Sequence, residues 1–192
     1  MIKRAFDLTI AFFCMPALFV FLPIIAILIS ADSPGPVLFK QKRVGLGQHQ
    51  FMLYKFRTMK SGTGDLPSHV AGEQNITAVG KWLRRTKLDE LPQLINVLKG
   101  EMSFVGPRPC LPTQTELVQA RAALGVFNVR PGITGAAQIE GLDMSNPAKL
   151  AQKDAQYCMN VSLLLDLWIV WATATGRGAG DAAREKGSSS KS

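Results

Sequence analysis

The chain has 192 residues, of which 47% are hydrophobic, and a formal net charge of +8 at pH 7. This length fits one domain of ordinary size, or a smaller domain with an anchor, and excludes two full domains. The charge excludes an acidic solvating chain and favours anionic partners such as nucleic acid, phosphorylated metabolites or anionic lipid. Three cysteines without a CxxC pair argue against a disulfide framework and a thiolate zinc site, and indicate a reducing compartment.

The first element in the chain is an apolar segment, residues 8–29, which contains no charged side chain. It is long enough to cross a bilayer, since a transmembrane helix needs roughly 20 apolar residues. Pro16 and Pro23 favour a kink or break within it, and basic residues on both sides give no clear orientation. A hairpin that enters the membrane and returns to the same face satisfies both observations. The residues alone leave a spanning helix and a re-entrant hairpin equally open.

The next segments are punctuated by turn residues. Turn residues at positions 33–36 end the anchor. Residues 37–59 contain short β-prone stretches on either side of a glycine turn, which predicts a β-hairpin carrying Lys and Arg. The polar residues 61–75 predict a loop.

The rest of the chain has helical periodicity. Four helices are predicted: one from Thr77, one from about Asp89 to residue 99 with Asp89 near its N-cap, one over residues 113–124 and an amphipathic one over residues 162–175. The last helix carries Trp168 and Trp171, which favour a membrane interface. Rigid Pro/Gly turns lie at residues 106–109 and 130–135.

The charged residues near these turns are candidates for phosphate chemistry. Asp89 and Glu90 lie between a basic helix and a predicted helix start, where unpaired amides favour negative charge. A carboxylate there can cap the helix, bind a divalent cation or attack a phosphoryl group, and spacing alone favours capping. Arg108, between two prolines, and Arg130, before a Pro-Gly turn, can present guanidinium groups to phosphate oxygens, although solvated turn arginines have the same pattern.

Six segments of the chain are distinctive in combination. They are residues 3–7 (KRAFD), 33–37 (SPGPV), 54–59 (YKFRTM), 88–93 (LDELPQ), 103–109 (SFVGPRP) and 130–135 (RPGITG). Together they resemble the bacterial sugar transferase family, specifically its small monotopic phosphoglycosyl transferases, from Lys3 to about Asp166. In three places the chain departs from the family pattern. Pro16 follows Met15 where the family often has Ser-Pro, and residues 139–142 stand where it often has Asn-Gly-Arg. The family's Asp-x-x-Tyr is retained as Asp154 and Tyr157, but Cys158 replaces the usual aromatic or small apolar residue that follows.

The resemblance implies an α+β, mostly helical fold in three parts. Residues 1–32 would form a re-entrant helix-break-helix membrane hairpin. Residues 33–175 would form a cytoplasmic catalytic domain with a short β-hairpin and interfacial amphipathic helices, and residues 176–192 a disordered tail. Because both ends of the hairpin would face the cytoplasm, the protein would be monotopic on the cytoplasmic face of the bacterial plasma membrane.

The resemblance also implies an activity. The protein would transfer a sugar 1-phosphate, with an N-acetylated sugar expected, from a UDP-sugar to polyprenyl (undecaprenyl) phosphate and release UMP, as the first membrane step of bacterial glycan assembly. By similarity, Asp89 would be the nucleophile that forms a covalent phosphosugar intermediate. Glu90, together with Asp89, would bind Mg²⁺.

Four basic residues would contact the phosphates in the same scheme: Lys55, Arg84, Arg108 and Arg130. Membrane phospholipid is a further expected partner, a homo-oligomer is left open, and nucleic acid is not expected. The competing interpretation is a membrane-tethered basic module that binds anionic lipid or nucleic acid without catalysis. It is disfavoured because the basic residues are spread among rigid turns and are not interleaved with stacking aromatic side chains.

Overall fold

The computed structural model describes residues 2–60 and 73–177. The predicted loop at residues 61–75 and the predicted disordered tail therefore lie mostly outside the described residues. The described chain is α+β and mostly helical, as predicted. It divides into two compact units: the first consists of residues 8–41, 52–60 and 73–98, and the second of residues 2–7, 42–51 and 99–177.

The apolar segment forms a long helix, α1, over Ile2–Asp32. Among the described residues it is the one helix long and apolar enough to cross a membrane, which suggests membrane association. The break predicted at Pro16 or Pro23 is not seen, because the helix continues through both prolines. A proline removes one helical hydrogen bond and favours a bend, which a long helix can accommodate without ending. The re-entrant course through the membrane stays a prediction.

The predicted β-hairpin is confirmed by two strands, β1 (Leu38–Val44) and β2 (Gln50–Phe56), which pair in a two-stranded sheet. The helix predicted from Thr77 is α2 (Ala78–Thr86). Thr77 is its N-cap, since the Thr77 hydroxyl accepts a hydrogen bond from the Gly80 amide at 3.0 Å.

The helix predicted from Asp89 is divided in two. A 3₁₀ turn over Leu88–Glu90 comes first, and α3 (Gln93–Lys99) begins only after it. Asp89 therefore lies inside the 3₁₀ turn, and the prediction that it lies near the N-cap of the helix is wrong. The physical reason is the hydrogen-bond pattern ahead of α3, where the Leu91 amide donates to the Leu88 carbonyl at 3.2 Å in a tighter i→i+3 turn.

The core of the first unit joins the C-terminal end of α1 to β2 and α2. Its fully buried members are Ile25, Ile29, Phe56 and Leu83. Arg57 lies at the same end of α1, also buried, and its guanidinium donates to the carbonyls of Ile29 at 3.3 Å, Ser33 at 2.5 Å and Pro34 at 2.9 Å. Because the last carbonyls of a helix have no partners within it, Arg57 acts as the cap of α1.

The second unit contains two short strands and four α-helices in its described part from residue 99 onward. In chain order they are β3 (Ser103–Val105), α4 (Thr115–Ala123), β4 (Gly132–Thr134), α5 (Ala136–Ile139), α6 (Pro147–Met159) and α7 (Leu163–Ala174). β3 and β4 pair in parallel, with Ser103 opposite Gly132. The helices predicted over residues 113–124 and 162–175 are confirmed as α4 and α7, whereas β3, β4, α5 and α6 were not predicted.

Two apolar clusters form the core of the second unit, one around Leu117, Phe127 and Leu150 and the other around Val105 and Ile169. The tryptophans of α7 stay outside this core: Trp168 is 46% exposed and Trp171 is 59% exposed. Their location at a membrane interface stays a prediction.

The first turns of α1 are fixed in the second unit by buried carboxylates. Asp7 accepts hydrogen bonds from the Ser103 hydroxyl at 3.0 Å and the Phe104 amide at 3.2 Å. Lys3 forms an ion pair with the fully buried Asp166. These contacts give a structural role to two charged residues of the KRAFD segment.

Candidate active site

The adjacent carboxylates Asp89 and Glu90 face the ammonium group of Lys55. Lys55 Nζ lies 2.6 Å from Glu90 Oε1 and 3.9 Å from Asp89 Oδ2. The three side chains are partly shielded from water, with exposed fractions of 18% for Lys55, 11% for Asp89 and 15% for Glu90. Partial burial strengthens the attraction between the charges, while the remaining exposure leaves the group accessible to a ligand.

Lys87 sets the start of the turn that carries this pair. It adopts the left-handed conformation with φ of 57° directly after α2, and its amide donates to the Arg84 carbonyl at 3.2 Å. A residue other than glycine in this conformation costs on the order of 1 kcal/mol. Lys87 lies where α2 ends and the 3₁₀ turn over Leu88–Glu90 begins, so this conformation changes the direction of the chain ahead of the carboxylate pair.

Asn96 of α3 holds the strand that carries Lys55. Its fully buried amide donates to the Met52 carbonyl at 2.7 Å and accepts from the Tyr54 amide at 3.2 Å. These two bonds fix β2 against α3 and thereby position Lys55. Sequence reasoning missed Asn96. The available signal was an amide side chain within an apolar helical pattern, which indicates a structural hydrogen bond because buried amides are almost always hydrogen-bonded.

Arg84 is positioned by a close approach between α2 and the chain that follows β2. A Cβ atom added at Gly80 would lie 2.1 Å from the Thr58 carbonyl oxygen, so the helix rests directly on the backbone there. One turn later, Arg84 Nε donates to the Thr58 hydroxyl at 2.9 Å. The same hydroxyl-bearing residue therefore determines both the helix position and the direction of the guanidinium.

The six predicted site residues are distributed over the two units. The first unit brings Lys55, Asp89 and Glu90 into contact and carries Arg84 on the helix that precedes them. Arg108 and Arg130 belong to the second unit. Arg130 Nε donates to the Gly100 carbonyl at 2.7 Å, and the Arg108 carbonyl accepts from Arg121 at 2.8 Å.

The carboxylate pair has the chemistry of a magnesium site. Mg²⁺ is usually bound by one or two carboxylates together with water and substrate phosphates. The ammonium of Lys55 already places a cation beside both carboxylates. No group of three or more His, Cys, Asp or Glu side chains that could hold a metal occurs in residues 2–60 and 73–177. Asp89 and Glu90 are the side chains of this pair that could hold Mg²⁺, with a phosphate substrate supplying further oxygen ligands.

Shifted pKa values occur in the second unit. Burial raises the pKa of the Cys158 thiol to about 11 and also raises the pKa of Cys110. Both thiols are therefore protonated near neutral pH, a state in which cysteine is a poor nucleophile. Burial likewise raises the pKa of Asp154, with the Arg121 guanidinium opposing the shift.

Comparison with known proteins places this fold in a family. A family model described as "Bacterial sugar transferase" matches residues 1–177. The chain is 39% identical over 189 residues to the UDP-N-acetylgalactosamine-undecaprenyl-phosphate N-acetylgalactosaminephosphotransferase of Aeromonas hydrophila, covering 93% of this chain and 45% of that protein. It is also 39% identical over 184 residues to the undecaprenyl-phosphate glucose phosphotransferase of Komagataeibacter xylinus, covering 89% of this chain and 35% of that protein.

A third relative has nearly the same length as this chain. The exopolysaccharide production protein PSS of Rhizobium leguminosarum bv. phaseoli is 39% identical over 191 residues, covering 90% of this chain and 92% of the relative. In contrast, the chain spans less than half of the Aeromonas and Komagataeibacter proteins. With the family model matched from residue 1 to residue 177 and the carboxylate turn in place, the chain belongs to the bacterial sugar transferase family.

Proposed function

We propose that this protein transfers a sugar 1-phosphate from a UDP-sugar to polyprenyl phosphate and releases UMP. The observation that carries the proposal is the partly exposed pair of Asp89 and Glu90 with Lys55 against it. The Aeromonas and Komagataeibacter relatives are both named for undecaprenyl phosphate, which supports the class of acceptor. The long apolar helix α1 supports a reaction at a membrane, where the lipid tail of such an acceptor lies.

In the first step, a carboxylate oxygen of Asp89 attacks the β-phosphorus of the UDP-sugar. A bond forms between Asp89 and phosphorus while the bond from that phosphorus to the bridging oxygen breaks, and UMP leaves with the oxygen and its electron pair. Lys55 lies closer to Glu90 than to Asp89, at 2.6 Å against 3.9 Å. We assign the attack to Asp89 by the family resemblance, with Glu90 beside it in the ion pair with Lys55.

In the second step, a phosphate oxygen of the polyprenyl phosphate attacks the same phosphorus. The bond to Asp89 breaks, the carboxylate is regenerated and polyprenyl diphosphate sugar is the product. Both steps exchange one phosphorus–oxygen bond for another. Neither step requires a base to remove a proton, because the attacking groups are already anions.

Positive charge near the carboxylates would stabilise both steps. Asp89 and Glu90 would hold Mg²⁺, which when bound neutralises negative charge on the diphosphate. Arg84 and Lys55 would stabilise charge that develops on the transferring group, an electrostatic contribution that commonly dominates phosphoryl transfer. Arg108 and Arg130 of the second unit are proposed as further phosphate contacts.

The sugar is the least constrained part of the proposal. We expect an N-acetylated sugar, as in the name of the Aeromonas relative, whereas the Komagataeibacter relative is named for glucose. UMP release should be measured with a panel of UDP-sugars and undecaprenyl phosphate in detergent. Faster release from N-acetylated donors than from UDP-glucose would support the expectation, and the opposite order would reject it.

The covalent step is tested by intact-mass spectrometry after incubation with the UDP-sugar and no acceptor. The wild-type protein should gain the mass of one phosphosugar, and Asp89→Asn should not. Asp32→Asn is the matched control in the same unit, because Asp32 accepts from the Val79 amide at 2.9 Å and an asparagine oxygen can still do so. Wild-type turnover without an adduct would reject the covalent step, and no UMP release from any donor would reject the function.

We also propose that α1 is re-entrant, so that both of its ends face the cytoplasm. Single cysteines placed at the exposed positions Ile2 and Lys40 can be labelled from either side of the membrane after the native cysteines have been replaced. Labelling of both positions from the cytoplasmic side is expected. Labelling from opposite sides would establish a spanning helix instead.

A further inference from the structure

The backbone that carries Arg108 is held at four consecutive carbonyls, all within the second unit. The Pro107 oxygen accepts from the Gly132 amide at 3.0 Å, the Arg108 oxygen from Arg121 Nη1 at 2.8 Å, the Pro109 oxygen from Arg43 Nη1 at 2.9 Å and the Cys110 oxygen from the Val44 amide at 3.0 Å. The two prolines have fixed φ angles as well. The backbone of this segment, residues 107–110, is therefore held in one conformation.

Arg121 makes the contact that reaches Arg108 itself. Its buried guanidinium donates through Nε and Nη2 to Asp154 Oδ2 at 3.0 Å and 2.6 Å, and through Nη1 to the Arg108 carbonyl. One planar group thus connects a carboxylate of α6 to the backbone of Arg108. The fixed fork of a guanidinium permits this arrangement, whereas a lysine ammonium cannot make all three bonds in the same geometry.

A second residue of α6 contacts the chain two positions before this segment. Tyr157 lies one turn after Asp154, and its buried hydroxyl is 2.7 Å from Asp166 Oδ1 and 3.2 Å from the Val105 carbonyl. Residues three positions apart lie on the same face of a helix. One face of α6 therefore holds the chain before Arg108 directly and the chain at Arg108 through Arg121.

We infer that Arg121, held by Asp154, is a positioning residue that orients Arg108 toward the phosphates of the substrate. The inference rests on the proposed function, which assigns Arg108 to phosphate binding. Arg121 is too deeply buried to contact a substrate, so its influence must pass through the Arg108 backbone. Donors that are fixed in advance stabilise a transition state without reorganising during the reaction, and a small misplacement of such a group can cost up to about 100-fold in rate.

The variant that tests this inference is Arg121→Lys, which keeps the positive charge beside Asp154 and loses the fork. We expect kcat for UMP release to fall at least about tenfold with little change in KM. In an Arg108→Ala background, Arg121→Lys should have no further effect, because the group that it positions is gone. Additive losses in the double variant would overturn the inference. The control is Lys153→Met, which removes a surface ion pair between α6 and Glu140 and should leave kcat unchanged.

A readout that does not depend on activity separates this inference from the proposed function. Amide hydrogen exchange in a peptide covering residues 103–111 should be faster in Arg121→Lys than in the wild-type protein and in Lys153→Met. Unchanged exchange would overturn the positioning role even if the enzyme is active, whereas absent UMP release in the wild type would reject only the proposed function. If Arg121→Lys does not fold, Asp154→Asn replaces it, since that variant retains Arg121 and weakens its attachment.

Discussion

Two ion pairs with the same separation lie in different units and have different surroundings. Lys55 and Glu90 in the first unit, and Arg121 and Asp154 in the second, each have a nitrogen–oxygen distance of 2.6 Å. The side chains of the first pair are 18% and 15% exposed, whereas those of the second are 2% and 3% exposed. Distance alone therefore does not distinguish a charge pair that a ligand can reach from one that holds the fold.

The remaining contacts of each cation make the same distinction. Lys55 has a second carboxylate nearby, Asp89, so its charge lies within a group of anions. Arg121 directs a third donor, Nη1, to the backbone carbonyl of Arg108. A cation among side-chain anions can exchange partners when a substrate binds, but one that also satisfies a buried carbonyl cannot do so without leaving that carbonyl unpaired.

The largest effect predicted by this comparison is the loss of stability in Asp154→Ala. Removing one partner of a buried ion pair leaves an uncompensated charge, and such losses are about 3–5 kcal/mol. For a chain of this length, we expect the midpoint of thermal unfolding to fall by about 10 °C. The measurement is circular dichroism in detergent. A decrease of less than about 3 °C would contradict the claim that this buried ion pair holds the fold.

In contrast to Asp154→Ala, Lys55→Met should have a large effect on activity and a small one on stability. Removing a single group that stabilises developing charge lowers rates by roughly 100-fold, whereas partly exposed ion pairs contribute about 1 kcal/mol or less to folding. UMP release and thermal unfolding measured on the same preparation test both statements. Lys40→Met, an exposed lysine on β1, is the control. An unfolded Lys55→Met protein would contradict the assignment of this pair to function.

Asn96→Ala should reduce stability to an intermediate extent, because the Met52 carbonyl and the Tyr54 amide of β2 lose their hydrogen bonds to Asn96. Each unsatisfied group costs about 1–3 kcal/mol, and the strand that carries Lys55 should also become less well fixed. Thermal unfolding and UMP release should therefore both decrease. Asn96→Asp can still accept from the Tyr54 amide, but it loses the donor to the Met52 carbonyl and places a carboxylate at a fully buried position, so its unfolding midpoint should also lie below that of the wild type.

The smallest predicted effect is the pH dependence contributed by Cys158. Its pKa is raised to about 11 in the folded protein, above the ordinary value for a thiol. The folded state therefore retains the proton more strongly, and stability should fall as the pH rises from about 9 to about 11. Cys158→Ser should lack this contribution.

Alkylation by iodoacetamide provides the direct measurement of the Cys158 thiol. With Cys14 and Cys110 replaced, the folded protein should react slowly at pH 8 and faster as the pH approaches 11. The same variant in denaturant should react at the ordinary rate of a free thiol and serves as the control. Fast modification of the folded protein at pH 8 would contradict the raised pKa.

Sequence patterns predicted the elements whose signals are local. The β-hairpin has β-prone runs around glycines, and α2 and α7 have a hydroxyl cap followed by apolar residues at helical spacing. Lys55 contacts the carboxylate pair, and the roles of the three side chains in phosphate chemistry stay predictions. The missed helix α6 also carried a local signal, because Asn146 caps it and Pro147 occupies its first turn.

Other features depend on contacts that no local pattern contains. Strands β3 and β4 have three residues each, too few for periodicity, and they pair across a separation of 29 positions from Ser103 to Gly132. The side-chain charge of an arginine does not indicate its burial, so Arg57 and Arg121 could not be distinguished in sequence from arginines that bind phosphate. An Asp-Glu pair before a helix also does not reveal whether the chain forms a 3₁₀ turn first, as it does at Asp89.

The absence of a side chain at Gly80 has a consequence for which variants of this protein can exist. A Cβ atom there would meet the Thr58 carbonyl oxygen at 2.1 Å, where ordinary contacts begin at 3.4 Å. A single methyl group would push α2 away from that carbonyl, and Arg84, four residues later, would no longer reach the Thr58 hydroxyl. Position 80 therefore does not tolerate alanine, the residue that helices usually tolerate best. Gly80→Ala adds no charge, yet it would displace the charged guanidinium of Arg84.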